Sequence, residues 1–339
     1  MERVDLLVVG AGPVGLACAV EAVRQGLSAR VVEKGALCNT LVGWPVHTVF
    51  FSTPELLEIG DLPFVTSGPK PTRVEGLRYY RKAAERYRLD VRLYERVVRV
   101  ERGGEGFDVA TEKTRHACRT LVVATGFFDH PNLLGVPGEE LPKVTHYYRE
   151  PFPYAGTDVL VVGGKNSAAE AALDLYRHGA RVTMAVREEA LGRSVKYWLL
   201  PDLTNRIQEG AIRAHFSTTV ARIDERHVVL ERGGRTFELP NDFVVAATGY
   251  HPDFGFLREL GVEVTEAGEV VHDLATMETG VPGLYLAGVV SAGVDIGRLF
   301  IENGRHHAAA IVAHVLARLG RPPVGPSTLR PIGPHQDGD

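Results

Sequence analysis

Gly10-Ala11-Gly12-Pro13-Val14-Gly15 follows the apolar run Leu6-Leu7-Val8-Val9 and opens into Leu16-Ala17-Cys18-Ala19-Val20. Residues 6–9 read as a buried strand, the glycine-rich stretch as a turn, and residues 16–25 as a helix stopped by Gly26. A second strand over residues 29–33 completes one strand-turn-helix-strand unit of a parallel sheet. Such a turn aims backbone N–H groups and the positive end of a helix dipole at a pyrophosphate. Gly10 makes the turn, Gly12 lets the phosphate approach, and Gly15 lets the helix pack on the strand. Glu33, about 18 residues beyond Gly15, stands where an acid holds a ribose hydroxyl, and Lys34 follows it. A carboxylate there repels a 2′-phosphate, so this site suits FAD or NAD. Pro13, Val14 and Lys34 join these residues as expected cofactor contacts.

The pattern repeats about 150 residues later. Residues 158–162 read as a strand, Gly163-Gly164-Lys165-Asn166-Ser167-Ala168 as a turn, 169–178 as a helix before Gly179, and 181–186 as a strand. Lys165 and Ala168 replace the second and third glycines. The second strand ends at Arg187, with Arg193 and Lys196 beyond it, and a cation in place of the acid suits a 2′-phosphate. This site reads as NADPH. Two further strands end in Ala124-Thr125-Gly126 and Ala247-Thr248-Gly249, and a third ends at Gly288. Together these motifs predict an α/β chain of two three-layer, Rossmann-like dinucleotide domains. One FAD-type and one NADPH-type site in a chain imply hydride transfer from nicotinamide to flavin.

Composition agrees with a globular enzyme. The 339 residues are 45% hydrophobic and 24% charged, with a formal net charge of -4. The scattered basic residues exclude nucleic acid as an expected partner. The apolar stretch from Leu6 to Val20 is glycine-interrupted, shorter than the roughly 18–20 residues a span needs, and lacks a positive lead. No membrane role and a cytoplasmic location are expected. Three cysteines, Cys18, Cys38 and Cys118, form no disulfide framework and no C-x-x-C pair. His306 and His307 are adjacent, so their side chains diverge on a helix, and no metal is expected.

The motif order resembles the thioredoxin reductase-like flavoproteins, whose FAD domain is split by an inserted NADPH domain. The resemblance places the split FAD domain at residues 1–145 and 242–320, the NADPH domain at 146–241, and a loose tail at 321–339. It implies linkers near residues 146–153 and 240–242, rotation of the inserted domain, and a homodimer. Val289 stands where thioredoxin reductases carry an aspartate that meets the flavin ribityl chain. Trp44-Pro45-Val46-His47-Thr48-Val49-Phe50-Phe51-Ser52, Gly163-Gly164-Lys165-Asn166-Ser167-Ala168, Gly249-Tyr250-His251-Pro252-Asp253 and Phe300-Ile301-Glu302-Asn303-Gly304 are similar to the bacillithiol disulfide reductase family. That resemblance implies FAD, NADPH and a low-molecular-weight disulfide as acceptor. The family typically carries cysteine where this chain has Val14, and valine cannot attack a disulfide.

Other candidates follow. Cys18 lies one helical turn beyond Val14 and reads as core. Cys38, in the loop after Glu33, is a candidate flavin-edge thiol or an inert one, and Cys118 reads as structural, preceding a strand. His47 is a candidate proton donor or positioner at the flavin, or a structural histidine. Phe50 and Phe51 read either as flavin neighbours or as core, Tyr147 and Tyr148 as a cover on the flavin face, a hinge or plain packing, and Tyr250 as a residue between domains. Thr125, Gly126, Gly249, Gly288 and Asn303 complete the expected cofactor contacts. The acceptor stays open at this level: a disulfide, a ferredoxin or flavodoxin, a quinone or oxygen, or no acceptor in a non-catalytic redox sensor.

Overall fold

Leu6, Leu7 and Val8 are all fully buried, so strand β1 (Arg3–Val9) is covered on both faces, as the central strand of a parallel sheet must be. The computed structural model describes residues 2–192 and 195–325. Among them, residues 2–42, 47–130 and 251–325 cluster as one unit, and 43–46 and 131–250 as another.

In the first unit, β1 pairs in parallel with β2 (Ala29–Val32), which pairs with β3 (Asp90–Arg92). On its other edge β1 pairs in parallel with β6 (Arg115–Val123). The far edge of β6 is shared: its first half takes β5 (Gly106–Thr111) antiparallel, with β4 (Val97–Gly103) beyond, and its second half takes β15 (Leu284–Leu286) in parallel. Helix α1 (Pro13–Arg24) crosses from β1 to β2. It starts three residues earlier than the apolar pattern predicts, because Pro13 is already suited to a first helical position. The short α2 (Asn39–Gly43) follows, then α3 (Arg73–Arg86), α6 (Phe254–Glu259), α7 (Ile301–Gly304) and α8 (His307–Arg318). Cys118 lies inside β6 rather than ahead of it, paired with Val4 and fully buried.

The second unit repeats the plan. Its parallel sheet runs β10-β9-β8-β14-β7, built from β7 (Val144–Thr145), β8 (Asp158–Val162), β9 (Arg181–Ala185), β10 (Arg213–His215) and β14 (Phe243–Ala246). Helix α4 (Asn166–Arg177) joins β8 to β9, and α5 (Leu200–Gln208) precedes β10. A three-stranded antiparallel sheet, β11 (Thr219–Ile223), β12 (His227–Arg232) and β13 (Arg235–Pro240), completes it. In each unit the crossover strand order reverses beside the first strand, between β1 and β6 and between β8 and β14, and such a switch point is where open sheets bind ligands.

The chain crosses between units at residues 42–43, 46–47, 130–131 and 250–251. For the last two the reason is pairing: β7 joins the edge of β14, and the Asn132 N–H donates to the Gly249 carbonyl at 2.9 Å, which ties residues 131–145 and 242–250 into the second unit. Tyr148 is anchored there by a 2.6 Å bond to Asp174, and Tyr147 stacks on Tyr250. Of the expected tail, residues 321–325 dock on the first unit. Arg321 grips the Asp5 carboxylate with both terminal nitrogens, and Gln25 exchanges bonds with Val324 and Gly325. Residues 326–339 lie outside the described residues, as does Arg193.

Candidate dinucleotide sites

The two glycine turns are superposable in their hydrogen bonds. Gly10 N–H donates to the Val32 carbonyl at 2.8 Å, and Gly163 N–H to the Ala185 carbonyl at 2.9 Å. Both glycines have left-handed φ, 110° and 132°. A Cβ at Gly10 would strike the Ala124 carbonyl at 2.5 Å, and one at Gly163 the Ala247 carbonyl at 2.6 Å. Each turn is therefore pressed against the alanine that opens an Ala-Thr-Gly stretch. Gly126 and Gly249 in those stretches are left-handed too, at 71° and 86°.

The turn of the first unit fits a phosphate-bearing ligand. Gly15 sits so close to Gly10 that a Cβ would lie 2.0 Å from the Gly10 carbonyl oxygen, whereas a Cβ at Gly12 meets no atom within 4 Å. Gly15 serves helix packing, and Gly12 leaves an open approach. No side chain caps α1, although α3 carries a complete Thr72/Glu75 capping box. The first N–H groups of α1 thus remain for an anion. Glu33 is buried at the end of β2, its carboxylate accepting from Ala11 N–H and Gly35 N–H at 2.8 Å each. Burial raises its pKa above the ordinary glutamate value, against those two bonds. Lys34 is 2.8 Å from Asp129.

Helix α4 likewise has no side-chain cap at Lys165. Asn166 and Ser167 form its first turn, and Ala168 is buried where the first unit has Gly15. The paired registers identify the counterpart of Glu33. Val9 faces Val32 and Val162 faces Ala185, so Glu33 corresponds to Val186 and Lys34 to Arg187. Val186 is fully buried. The acid is replaced by a hydrocarbon, and the next residue is an exposed arginine whose guanidinium lies 3.4 Å from Glu188. Lys196 is turned elsewhere: its ammonium is 2.9 Å from Glu170 and sits over the Trp198 ring. Its backbone N–H nevertheless donates to the Asn166 side chain at 2.8 Å.

Around Val14 the first unit is closely packed. A Cβ on Gly288 or Gly304 would lie 3.2 or 3.3 Å from Val14 side-chain carbons. Gly288 N–H donates to Nδ1 of buried His307 at 3.2 Å, and burial pushes the His307 pKa down to about 4. Asn303 spends both ends of its amide on its own loop, accepting from Phe300 N–H and donating to the Arg298 carbonyl. His47 is exposed, Phe50 is core under Gly76, and Phe51 packs edge-on against Phe300. All three cysteines are buried. Burial pushes the Cys18 and Cys118 thiols up to about 12 and raises Cys38 as well, helped by the Glu33 charge. None of them is a thiolate near neutral pH. A cleft of about 320 Å³ is lined by Glu55, Glu58, Asp61 and Arg305.

The family model for pyridine nucleotide-disulphide oxidoreductases matches residues 7–288. The chain is 42% identical over 321 residues to the bacilliredoxin reductase Bdr of Bacillus subtilis (strain 168), across 94% of this chain and 99% of that protein. The chain belongs to the bacillithiol disulfide reductase family. A solved structure of bacillithiol disulfide reductase Bdr from Bacillus cereus matches with TM-score 0.91 and 40% identity, covering 94% of this chain and 100% of that one. Thioredoxin reductase from T. acidophilum shares the fold, with TM-score 0.75 at 20% identity over 94% of this chain and 99% of its own. Membership makes the chain a flavoprotein oxidoreductase that uses a flavin and a pyridine nucleotide. Among the described residues, no helix is long and apolar enough to cross a membrane.

Proposed function

We propose that this protein is an NADPH-dependent FAD oxidoreductase that passes electrons to a low-molecular-weight disulfide, the acceptor being the one named for the bacillithiol disulfide reductase from Bacillus cereus. The carrying observation is the register within each unit, by which Glu33 of the first corresponds to Val186 of the second and Lys34 to Arg187. Glu33 is built to take the ribose hydroxyls of FAD, with Gly12 and the α1 N-terminus beneath its pyrophosphate. Val186 removes the carboxylate that would repel a 2′-phosphate, and Arg187 supplies a cation for it. We assign FAD to the first unit and NADPH to the second. Bound flavin would accept a hydride from NADPH and hold the electron pair for the acceptor. The chain's own part is to anchor two pyrophosphates on uncapped helices, choose between nucleotides by one position, and pack Val14 beneath Gly288.

A second reading keeps both nucleotides and changes the acceptor to a ferredoxin or flavodoxin, a quinone or oxygen. Val14 favours it, since this site holds no thiol and the three cysteines are buried. One anaerobic experiment separates the two. The FAD-loaded protein is bleached with NADPH, and bacillithiol disulfide is then added. Rapid, repeatable reoxidation supports disulfide reduction without a thiol at position 14. Bleaching that persists until ferredoxin, quinone or oxygen is added assigns the second reading. No bleaching by NADPH but bleaching by NADH removes the nucleotide assignment.

A further inference from the structure

We propose that Tyr197 and Trp198 form an aromatic rim on which the adenine ring of the pyridine nucleotide stacks. The inference rests on the assignment of the second unit to that nucleotide. Tyr197 is 82% exposed and Trp198 46%. Their rings meet edge to face, 4.9 Å between centroids and 90° between planes. Rings of this size normally bury most of their surface, so an exposed pair held at a right angle marks a contact surface.

What the pair is fastened to identifies the contact. Lys196 N–H donates to Oδ1 of Asn166, the first residue of α4 after the glycine turn. The Lys196 ammonium reaches Glu170 on the next turn of that helix and lies 5.3 Å from the Trp198 ring centroid. Both bonds clamp the aromatic pair beside the end of α4 that faces a pyrophosphate. Neutralised by Glu170, the lysine acts as a strut for Trp198 more than as a phosphate ligand. The chain reaches this stretch from Arg187, at the end of β9. In a strand-turn-helix-strand unit the adenosine half of a dinucleotide runs toward that strand end, and the nicotinamide half runs the other way, toward the switch point. Adenine is the flat π-faced part of the adenosine half, and stacking on an aromatic side chain is the common way to hold a base.

The test uses the FAD-loaded full chain and calorimetric titration with 2′,5′-ADP, which carries the adenine but no nicotinamide. Tyr197→Ala and Trp198→Ala are each expected to weaken binding on the order of tenfold. Trp198→Phe should keep most of the affinity, and binding of nicotinamide mononucleotide should not change. The chain has two tryptophans, so in a Trp44→Phe background 2′,5′-ADP should quench the Trp198 emission. Alanine variants with wild-type circular dichroism and wild-type affinity for 2′,5′-ADP would overturn the proposal. So would weakening confined to the mononucleotide. If the wild type takes ADP-ribose but not 2′,5′-ADP, the 2′-phosphate assignment falls, and the same variants titrated with ADP-ribose decide the stacking.

Discussion

A Cβ added to Gly288 would stand 3.2 Å from the Cβ and both Cγ atoms of Val14. The branched side chain in the first turn of α1 is therefore seated against bare backbone after β15, with Gly304 closing on the same Cγ2 at 3.3 Å. Position 14 is a packing position in this chain, and the absent β-carbons of two glycines make room for it.

Gly288→Ala is expected to destabilise the protein by about 1–3 kcal/mol through overpacking, with added strain from a left-handed φ of 76°. Val14→Ala in the same chain should relieve the steric part. Denaturant melts of both single variants and the double should therefore show a favourable coupling above about 0.5 kcal/mol. Additive effects would mean that the two residues do not share the space described.

Val14→Cys removes one methyl group's worth of volume and brings a sulfur to the same slot. A stability change within about 1.5 kcal/mol is expected. Anaerobic reoxidation of the reduced variant by bacillithiol disulfide should be faster than that of the wild type. An unchanged rate would separate position 14 from electron delivery.

Gly12→Ala and Gly15→Ala should fail in different ways. The Gly15 variant places a Cβ 2.0 Å from the Gly10 carbonyl, so the fold itself should be lost or badly destabilised. The Gly12 variant meets no protein atom, so it should fold with native circular dichroism yet purify with little flavin. Full flavin absorbance per chain in Gly12→Ala would remove Gly12 from the pyrophosphate site.

His307 sets a pH dependence. Burial holds its pKa at about 4, below the ordinary 6.5, and Nδ1 is the acceptor for Gly288 N–H. Between those values the unfolded chain binds more protons than the folded one. The stability present above pH 6.5 is therefore lost as pH falls toward 4, by about 3 kcal/mol. Urea unfolding across this range should give a slope that His307→Gln reduces. Equal slopes in both proteins would show that the histidine is not buried neutral.

Arg187→Ala should raise KM for NADPH roughly 10- to 100-fold, the worth of a charge-assisted bond, and leave KM for NADH nearly unchanged. Steady-state reduction of a generic acceptor dye with each nucleotide measures this. Equal losses with both nucleotides would indicate a structural role instead.

The thiols give a further check. Cys18, Cys38 and Cys118 are all buried, and their pKa values are raised. Iodoacetamide at pH 8 should label none of them in the native protein and all three after denaturation, and Cys38→Ser should keep its NADPH-driven activity. Rapid labelling of Cys38 in the folded protein would restore it as a redox candidate.

Both glycine turns, with their strands and helices, were legible in the sequence because each is made by consecutive residues. The spacing of Gly10, Gly12 and Gly15 follows from one turn and one helix start. Helix starts were read three residues late on both helices, since Pro13 and Asn166 carry no apolar periodicity. Asn303 shows the opposite limit. Its residue type suits a ligand contact, but its own loop, from Arg298 to Asn303, consumes both ends of its amide. Lys196 likewise carries the right charge, and only the fold shows that Glu170 claims it.

The sequence by itself determined two nucleotide units, their order along the chain and an acid in the first of them, because local glycine spacing and strand-helix periodicity are properties of short segments. Tertiary structure alone decided which residue of the second unit replaces that acid, where the chain crosses between units, and what Val14 touches. Those depend on which distant strands pair and in what register. Val14 meets Gly288 because β15 returns to the edge of β6, and no local pattern encodes that return.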